Sequence, residues 1–330
     1  MNILGIESSC DETAASVYTD GKILSNIIAS QAIHEQFGGV VPELASRAHH
    51  KTIWQTVAQA LKEASVTMDQ IDAIAVAQGP GLMGSLLVGL SFAKGLAISH
   101  DKPIIGVNHI DAHMYANFIE HKEVYPFIAL IVSGGHTRLV QVIKPFNHKV
   151  LGQTRDDAAG EAFDKIGKIL NLSYPAGPVM DKLSQTGDPA FHPFPRSMIN
   201  KGLDFSFSGL KTSVLYYTQE KGEKFVQQNL NDICASVSAA ITDVLTAKLK
   251  RAVIRNNLPH VMLAGGVSAN SMLRKKVQKL AAEEELNLMI PSIRYCTDNA
   301  AMIAVAGAIK AREFSFDSLN IKPFARMNGD

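Results

Sequence analysis

The sequence predicts an α/β fold built twice, as two similar lobes of mixed sheet and helix in one chain. Three observations carry that prediction. A unit of apolar strand, small polar turn and second strand opens the chain at Asn2–Tyr18, and the same pattern returns at Pro126–Ile143. Both turns carry serine and end in threonine, at Thr13 and Thr137, and mixed helices and strands follow each copy. The length of 330 residues, 46% of them hydrophobic, suits two ordinary domains or one large one. A chain of this size can bury roughly 75% of the surface it exposes when unfolded.

The elements follow in order. Asn2–Ile6 and Ala14–Tyr18 are apolar strands flanking the polar stretch Glu7–Thr13. Asp20-Gly21 signals a tight hairpin into a third strand, Lys22–Ile28. Pro42 suits a first helical turn, and Leu44, Ala48, Ile53, Val57, Leu61 and Ala64 recur at helical spacing. Ile71–Ala77 is a continuous apolar run, as in a strand covered on both faces. A glycine turn, Gly79–Gly84, leads into a helix over Ser85–Ser99, and Pro103–Val107 is the next strand. In the second copy, Pro126–Val132 and Arg138–Ile143 are strands, and Asp156–Lys165 opens an amphipathic helix. Asp204–Thr212 alternates aromatic and polar residues, which predicts an edge strand and turn. His260–Ala264 is a strand, Gly265-Gly266 a sharp turn, and Ser268–Ala282 and Asn299–Arg312 are helices. The expected division is an N-terminal lobe of 1–108, completed by a C-terminal helix in 300–330, and a second lobe of 109–299.

Composition removes several function classes. With 32 basic against 31 acidic residues, no global field captures nucleic acid or membrane. The apolar content excludes a disordered scaffold. The longest apolar stretches, such as Phe127–Val132, fall far short of the ~20 residues of a membrane-spanning helix. Glu7, Asp11 and Glu12 near the start, with no basic lead, do not read as a secretory signal. Cys10, Cys234 and Cys296 are odd in number and widely spaced, which reads as reduced thiols. The expectation is a soluble cytoplasmic enzyme.

Four groups of residues suggest chemistry. The turn Ser133-Gly134-Gly135-His136-Thr137 offers successive backbone N–H groups to an anion, or merely connects two strands. Gly265-Gly266 before a helix allows the same close approach. His109 and His113 lie four apart, so a helix places both imidazoles on one face, either sharing a divalent metal or partly exposed. Asp298 is a third ligand or the N-cap of the last helix. The His-Glu-x-x-His arrangement of zinc peptidases is absent, because the acid here is Asp111. His49-His50 reads as a surface pair. Asp164 and Asp181 favour helix N-termini or bind ribose hydroxyls. Between Val244 and Lys279 stand eight basic residues and no acidic one, a solvated helix face or a phosphate contact.

Eight motifs occur in a family order. They are Gly5–Ala15 with its Glu-Ser-Ser-Cys-Asp-Glu-Thr core, Gly79-Pro80-Gly81, Asn108–His113, and Val132–Thr137. Then come Asp157–Lys165, Ser206–Thr212, Gly265–Asn270 and Thr297–Ala300. Together they resemble the tRNA N6-adenosine threonylcarbamoyltransferase family in its bacterial form, over essentially the whole chain. The resemblance implies a two-lobed actin-like fold (sugar kinase, Hsp70, actin) with central mixed sheets flanked by helices. It implies transfer of a threonylcarbamoyl group from threonylcarbamoyl-adenylate to N6 of the adenosine beside the anticodon, position 37, in tRNAs reading codons that begin with A. By matching motifs, His109, His113 and Asp298 would hold one divalent metal per subunit, Fe2+ ahead of Zn2+. Ile131, Val132, Ser133, Gly134, Gly135, Asp164, Gly177, Asp181 and Asn270 would line the adenylate site in the inter-lobe cleft, where ATP or ADP can also sit. Asp11 and Glu12 are the candidates for accepting the amine proton or positioning the substrate. Ala112 stands where many relatives carry glycine, a small-for-small change. The implied partners are tRNA, a catalytically inactive paralogue of the same fold (TsaB-like) and a small P-loop ATPase (TsaE-like), with no membrane. A metal-dependent phosphotransferase and a nucleotide switch without catalysis are the competing readings of this fold.

Overall fold

Strands β1 (Asn2–Glu7), β2 (Thr13–Thr19) and β3 (Lys22–Ala29) form an antiparallel meander in this computed structural model, which describes residues 1–31, 34, 37 and 39–326. Asp20 and Gly21 join β2 to β3 at φ of 45° and 87°, the positive values a tight hairpin demands. Helix α1 (Pro42–Ala64), β4 (Ala73–Gly79), helix α2 (Met83–Ser99) and β5 (Ile104–Asn108) follow. β4 pairs parallel to β1, and β5 parallel to β4, giving the order β3-β2-β1-β4-β5. Helix α3 (His109–Tyr115) leaves directly from β5.

The pattern then repeats. β6 (Phe127–Val132), β7 (Thr137–Lys144) and β8 (Asn147–Gln153) form a second meander. Helices α4 (Ala159–Ile169), α5 (Ala176–Ser184), α6 (Ser208–Lys221), α7 (Glu223–Gln228) and α8 (Leu230–Asn256) intervene before β9 (His260–Ala264). Helix α9 (Ser271–Glu283), β10 (Asn287–Met289) and helix α10 (Ala300–Glu313) complete the chain. The second sheet has the order β10-β9-β6-β7-β8, the same topology as the first with β6 in the place of β1.

The chain divides into two compact units, Met1–Glu123 with Pro291–Asp330, and Val124–Ile290. The first therefore extends past residue 108, because α3 packs on α10. In that unit β1 alternates as a strand must: Leu4 and Ile6 join the core under α1 and α2, whereas Ile3 and Gly5 face α10. Covered on both sides, β1 and β4 are buried almost throughout. Alanines in α10 and the missing side chain of Gly5 permit close approach: a Cβ on Gly5 would stand 2.5 Å from the Ala300 carbonyl oxygen. The last helix ends at Glu313 rather than filling 300–330. Beyond it, Asp317 bridges antiparallel to Ile104 and accepts from the Gly106 N–H at 2.8 Å, while Phe324 donates to the Gln78 carbonyl at 3.1 Å. This strap covers the open edge of β5, whose backbone groups would otherwise face solvent unpaired.

In the second unit, α4, α6 and α8 bury Phe163, Leu210, Val214, Ile241 and Leu245 against the sheet residues Ile128, Leu130 and Leu263. Three expectations are corrected there. Residues 204–212 are not an edge strand: Phe205 makes one isolated bridge to Thr154, and α6 starts at Ser208. The Asp156 carboxylate accepts from Ser206 Oγ at 2.6 Å, the Phe207 N–H at 2.8 Å and Ser208 Oγ at 2.8 Å, so it caps that helix from a distant loop. Gly266–Ala269 forms a 3-10 turn before α9, so the helix begins three residues later than Ser268. The basic run is not a solvated face either. Lys248 is fully buried and donates to the carbonyls of Met198, Lys201 and Gly202, Lys276 pairs with Asp243, and Lys250 pairs with Glu284 at 2.7 Å. No helix among the described residues is long and apolar enough to cross a membrane.

Candidate metal centre

α3 is short and wholly buried, and its start is fixed by Asn108, whose Oδ1 accepts from the N–H groups of Ile110 and Asp111 at 2.9 and 3.2 Å. One helical turn then sets the His109 and His113 rings edge to face, with centroids 4.7 Å apart. The third residue arrives from the end of the chain. Asn299, not Asp298, caps α10, accepting from the Met302 N–H at 3.0 Å and donating to the Thr297 carbonyl at 2.7 Å. Asp298 is thereby left to turn its carboxylate towards α3. Its Oδ1 lies 3.5 Å from His109 Nε2 and 3.1 Å from His113 Nε2. One ligand atom from each of the three residues lies within 4.8 Å of the other two.

These residues fit a divalent metal. Ligands held ~2.0–2.2 Å from one ion sit about 3–3.5 Å from each other, and both histidine-to-aspartate distances here fall in that range. His113 is 1% exposed, and neither of its ring nitrogens makes a hydrogen bond of acceptable geometry among the described residues, despite the short approach to Asp298. A buried imidazole without a hydrogen bond is costly unless an electrophile takes its lone pair. Two imidazoles and one carboxylate leave coordination positions for a substrate, as catalytic rather than structural metal sites do. The local field is strongly negative. Burial disfavours the charged form of His109, but the Asp298 and Glu7 carboxylates outweigh it and push this imidazole up to about 9. Glu12 is also pushed up to about 9, by burial first and then by the charges of Asp298 and Asp11. Glu12, in the β1–β2 turn beside Asp11, thus lies within the electrostatic reach of Asp298.

Glu7 and Ser9 were not foreseen as part of this centre. Glu7, fully buried at the end of β1, places Oε2 3.1 Å from His109 Nδ1, and Ser9 Oγ lies 3.1 Å from the same nitrogen. The signal in the sequence is a glutamate closing an otherwise apolar strand. His49 is the other correction: it is buried rather than superficial, with Nδ1 2.7 Å from Thr13 Oγ1 and Nε2 2.9 Å from the Cys10 carbonyl, and it pins the β1–β2 turn.

The remaining sequence-derived residues belong to the second unit. Ile131 and Val132 end β6, and the turn after them is closed by Ser133, whose N–H donates to the His136 carbonyl at 2.8 Å and whose Oγ accepts from the His136 N–H. Gly134 and Gly135 are exposed, have ordinary φ, and a Cβ on either would meet nothing within 4 Å. Neither backbone strain nor a neighbour explains glycine there. Gly265 differs: its φ is 86° and a Cβ would stand 2.5 Å from the Val132 carbonyl oxygen. Asp164 Oδ1 accepts from the Ala176 N–H at 2.8 Å, at the start of α5 beside Gly177, and burial raises this carboxyl. Asp181 Oδ1 accepts from the N–H and Oγ of Ser271, and Asn270 caps the same helix α9 through Leu273 N–H. Asp181 and Asn270 therefore meet at one helix terminus, and Asp164 stands at another.

Three comparisons bear on this arrangement. Residues 22–305 match the family model described as TsaD, tRNA N6-adenosine threonylcarbamoyltransferase. A protein of that name from Salinibacter ruber is 52% identical over 331 residues, covering 98% of this chain and 99% of that one. Among solved structures, component A of the (R)-2-hydroxyglutaryl-CoA dehydratase of Acidaminococcus fermentans matches 94% of this chain and 96% of its own, with a TM-score of 0.56 at 15% identity. A ROK hexokinase from Thermus thermophilus matches 95% of this chain and 100% of its own, with a TM-score of 0.50 at 16% identity. The structural likenesses bear out the duplicated actin-like and sugar-kinase fold. From its sequence, the chain belongs to the tRNA N6-adenosine threonylcarbamoyltransferase family.

Proposed function

We propose that this chain transfers the threonylcarbamoyl group of threonylcarbamoyl-adenylate to N6 of adenosine 37 in tRNAs that read codons beginning with A. The observation that carries the reading is the cluster of His109, His113 and Asp298 in a chain of this family. Two histidines and one carboxylate with open positions suit Fe2+ ahead of Zn2+. When bound, the metal supplies Lewis acidity and orients the oxygens of the donor.

The residues provide the rest. The exocyclic amine of adenine is a weak nucleophile because its lone pair is delocalised into the ring, so the donor must be activated and adenylate must leave well. The amine nitrogen bonds to the carbamoyl carbon, the bond from that carbon to the phosphate oxygen breaks, and AMP departs. Whichever of Asp11 and Glu12 is ionised accepts the proton that the nitrogen sheds, and the other positions the substrate. The nest at Ser133–Gly135 holds the phosphate or the developing oxyanion, an interaction in which one donor is typically worth ~3 kcal/mol of barrier. Asp164, Gly177, Asp181 and Asn270, with Ile131 and Val132, receive the adenosine portion, and ATP or ADP occupies the same residues in the absence of donor.

The charge pattern supports a need for partners in the cytoplasm. Net charge is +1, and Lys250 and Lys276 of the basic run are already engaged with Glu284 and Asp243. Much of the cationic surface for tRNA therefore comes from elsewhere, in this reading from an inactive paralogue and a small P-loop ATPase. The test is mass analysis of nucleosides from tRNA incubated with the chain, both partners and the adenylate donor. Formation of N6-threonylcarbamoyladenosine is expected. Phosphorylation of a small metabolite, with tRNA unchanged, would replace this reading by a phosphotransferase.

A further inference from the structure

The two imidazoles of the centre are not equivalent, and the difference lies behind them. His113 has no hydrogen bond at either ring nitrogen among the described residues. His109 has its Nδ1 against two oxygens, Glu7 Oε2 and Ser9 Oγ, each at 3.1 Å. Glu7 is 0% exposed and is itself held, since the Ser9 N–H donates to its Oε1. A buried carboxylate is expensive to desolvate, and among the described residues this one is offset by hydrogen bonds from a backbone amide and an imidazole. A carboxylate can only accept, so the hydrogen bond to His109 requires the proton on Nδ1. With Nδ1 so engaged, Nε2, the nitrogen 3.5 Å from Asp298 Oδ1, is the one that offers its lone pair once its own proton is displaced.

We infer that Glu7 is a positioning residue for the metal. It fixes His109 in the Nδ1–H tautomer, orients the ring, and raises the basicity of Nε2, with Ser9 holding the carboxylate in place. The carboxylate–histidine–metal arrangement recurs because it presets the ligand before the ion arrives, and loss of such an outer partner typically lowers metal affinity 10–100-fold. β1 thus has a task beyond the sheet: its last residue sets one of the two ligands on α3. The inference rests on the metal reading of the cluster.

The test uses the full-length chain stripped of metal and titrated with Zn2+ against a chelator of known affinity, alongside 15N chemical shifts of the His109 ring. In the wild type, Nδ1 is expected to carry a proton both before and after metal is added, with only Nε2 losing its proton when the metal binds. Glu7→Gln keeps the shape and removes the charge, and should weaken Zn2+ about 10-fold. Glu7→Leu should weaken it further and release the tautomer preference. Ser9→Ala, which keeps the N–H that holds Glu7 and removes only the Oγ beside His109 Nδ1, should fall between wild type and Glu7→Gln and serves if the Glu7 variants do not fold. An unprotonated Nδ1 in the wild type, or unchanged Zn2+ affinity in a folded Glu7→Gln chain, would overturn the inference. A wild-type chain that binds no divalent metal would instead remove the metal reading itself.

Discussion

Gly5→Ala joins the packing of the first unit to its candidate metal centre. An added Cβ would stand 2.5 Å from the Ala300 carbonyl oxygen and 2.8 Å from both the Cβ and the N of Ala304. All three are parts of α10 that cannot rotate away, so helix and strand must separate by at least 0.5 Å to restore even a tight 3.0 Å approach. Overpacking of this kind costs about 1–3 kcal/mol. For a unit of this size each kcal/mol lowers Tm by roughly 2–4 °C, which sets the expected fall at about 2–12 °C. The same displacement acts on Asp298, two residues before Ala300. Metal–ligand distances tolerate only about 0.2 Å, so Zn2+ affinity should drop at least ~10-fold. Calorimetry of the metal-free chain and chelator competition read the two effects separately. Gly134→Ala, whose Cβ meets nothing within 4 Å, should leave Tm unchanged and serves as the control. If Gly5→Ala melted and bound Zn2+ like the wild type, the close approach of β1 and α10 would not position Asp298.

Other outcomes follow from contacts elsewhere. Lys248→Met strands the carbonyls of Met198, Lys201 and Gly202, and should cost about 2–4 kcal/mol by urea denaturation. Asp156→Asn tests the cap on α6. Burial raises that carboxyl, but hydrogen bonds from Ser206, Phe207 and Ser208 outweigh it and hold it below its ordinary value of 3.8. With the folded value depressed, the contribution is fully present above 3.8 and is lost as pH falls through the folded value. Wild type should therefore melt above Asp156→Asn at neutral pH, and the gap should close in acid. Truncation after Phe314 removes the strap that Asp317 and Phe324 lay along β5 and Gln78, and should lower Tm and promote self-association visible by light scattering.

Local pattern made much of the fold legible. The repeated strand–turn–strand unit and the Asp20-Gly21 hairpin are properties of neighbours in sequence, and so is the single face shared by His109 and His113. What escaped depends on distant partners. Glu7 and His109 lie 102 residues apart, and only the parallel pairing of β1, β4 and β5 brings the strand end to the helix start. Residues 204–212 alternate like a strand, but Phe205 and Phe207 are both buried and Asp156, about 50 residues away, supplies the cap that starts a helix. His49 was assigned to the surface because its partners, Thr13 and the Cys10 carbonyl, belong to another element. Asp298 was ambiguous between cap and ligand until Asn299 took the cap. A basic run likewise says nothing of its acids, here Asp243 and Glu284, which lie outside it.

The claim on which the chemistry depends is that one ion sits among three side chains drawn from α3 and the start of α10. Anomalous diffraction from crystals of the metal-loaded chain addresses it directly. A single strong peak is expected, about 2.0–2.2 Å from His109 Nε2, His113 Nε2 and an Asp298 oxygen, and absent from Asp298→Asn crystals. A peak bound elsewhere, or none at this cluster in protein that still forms threonylcarbamoyladenosine, would contradict it.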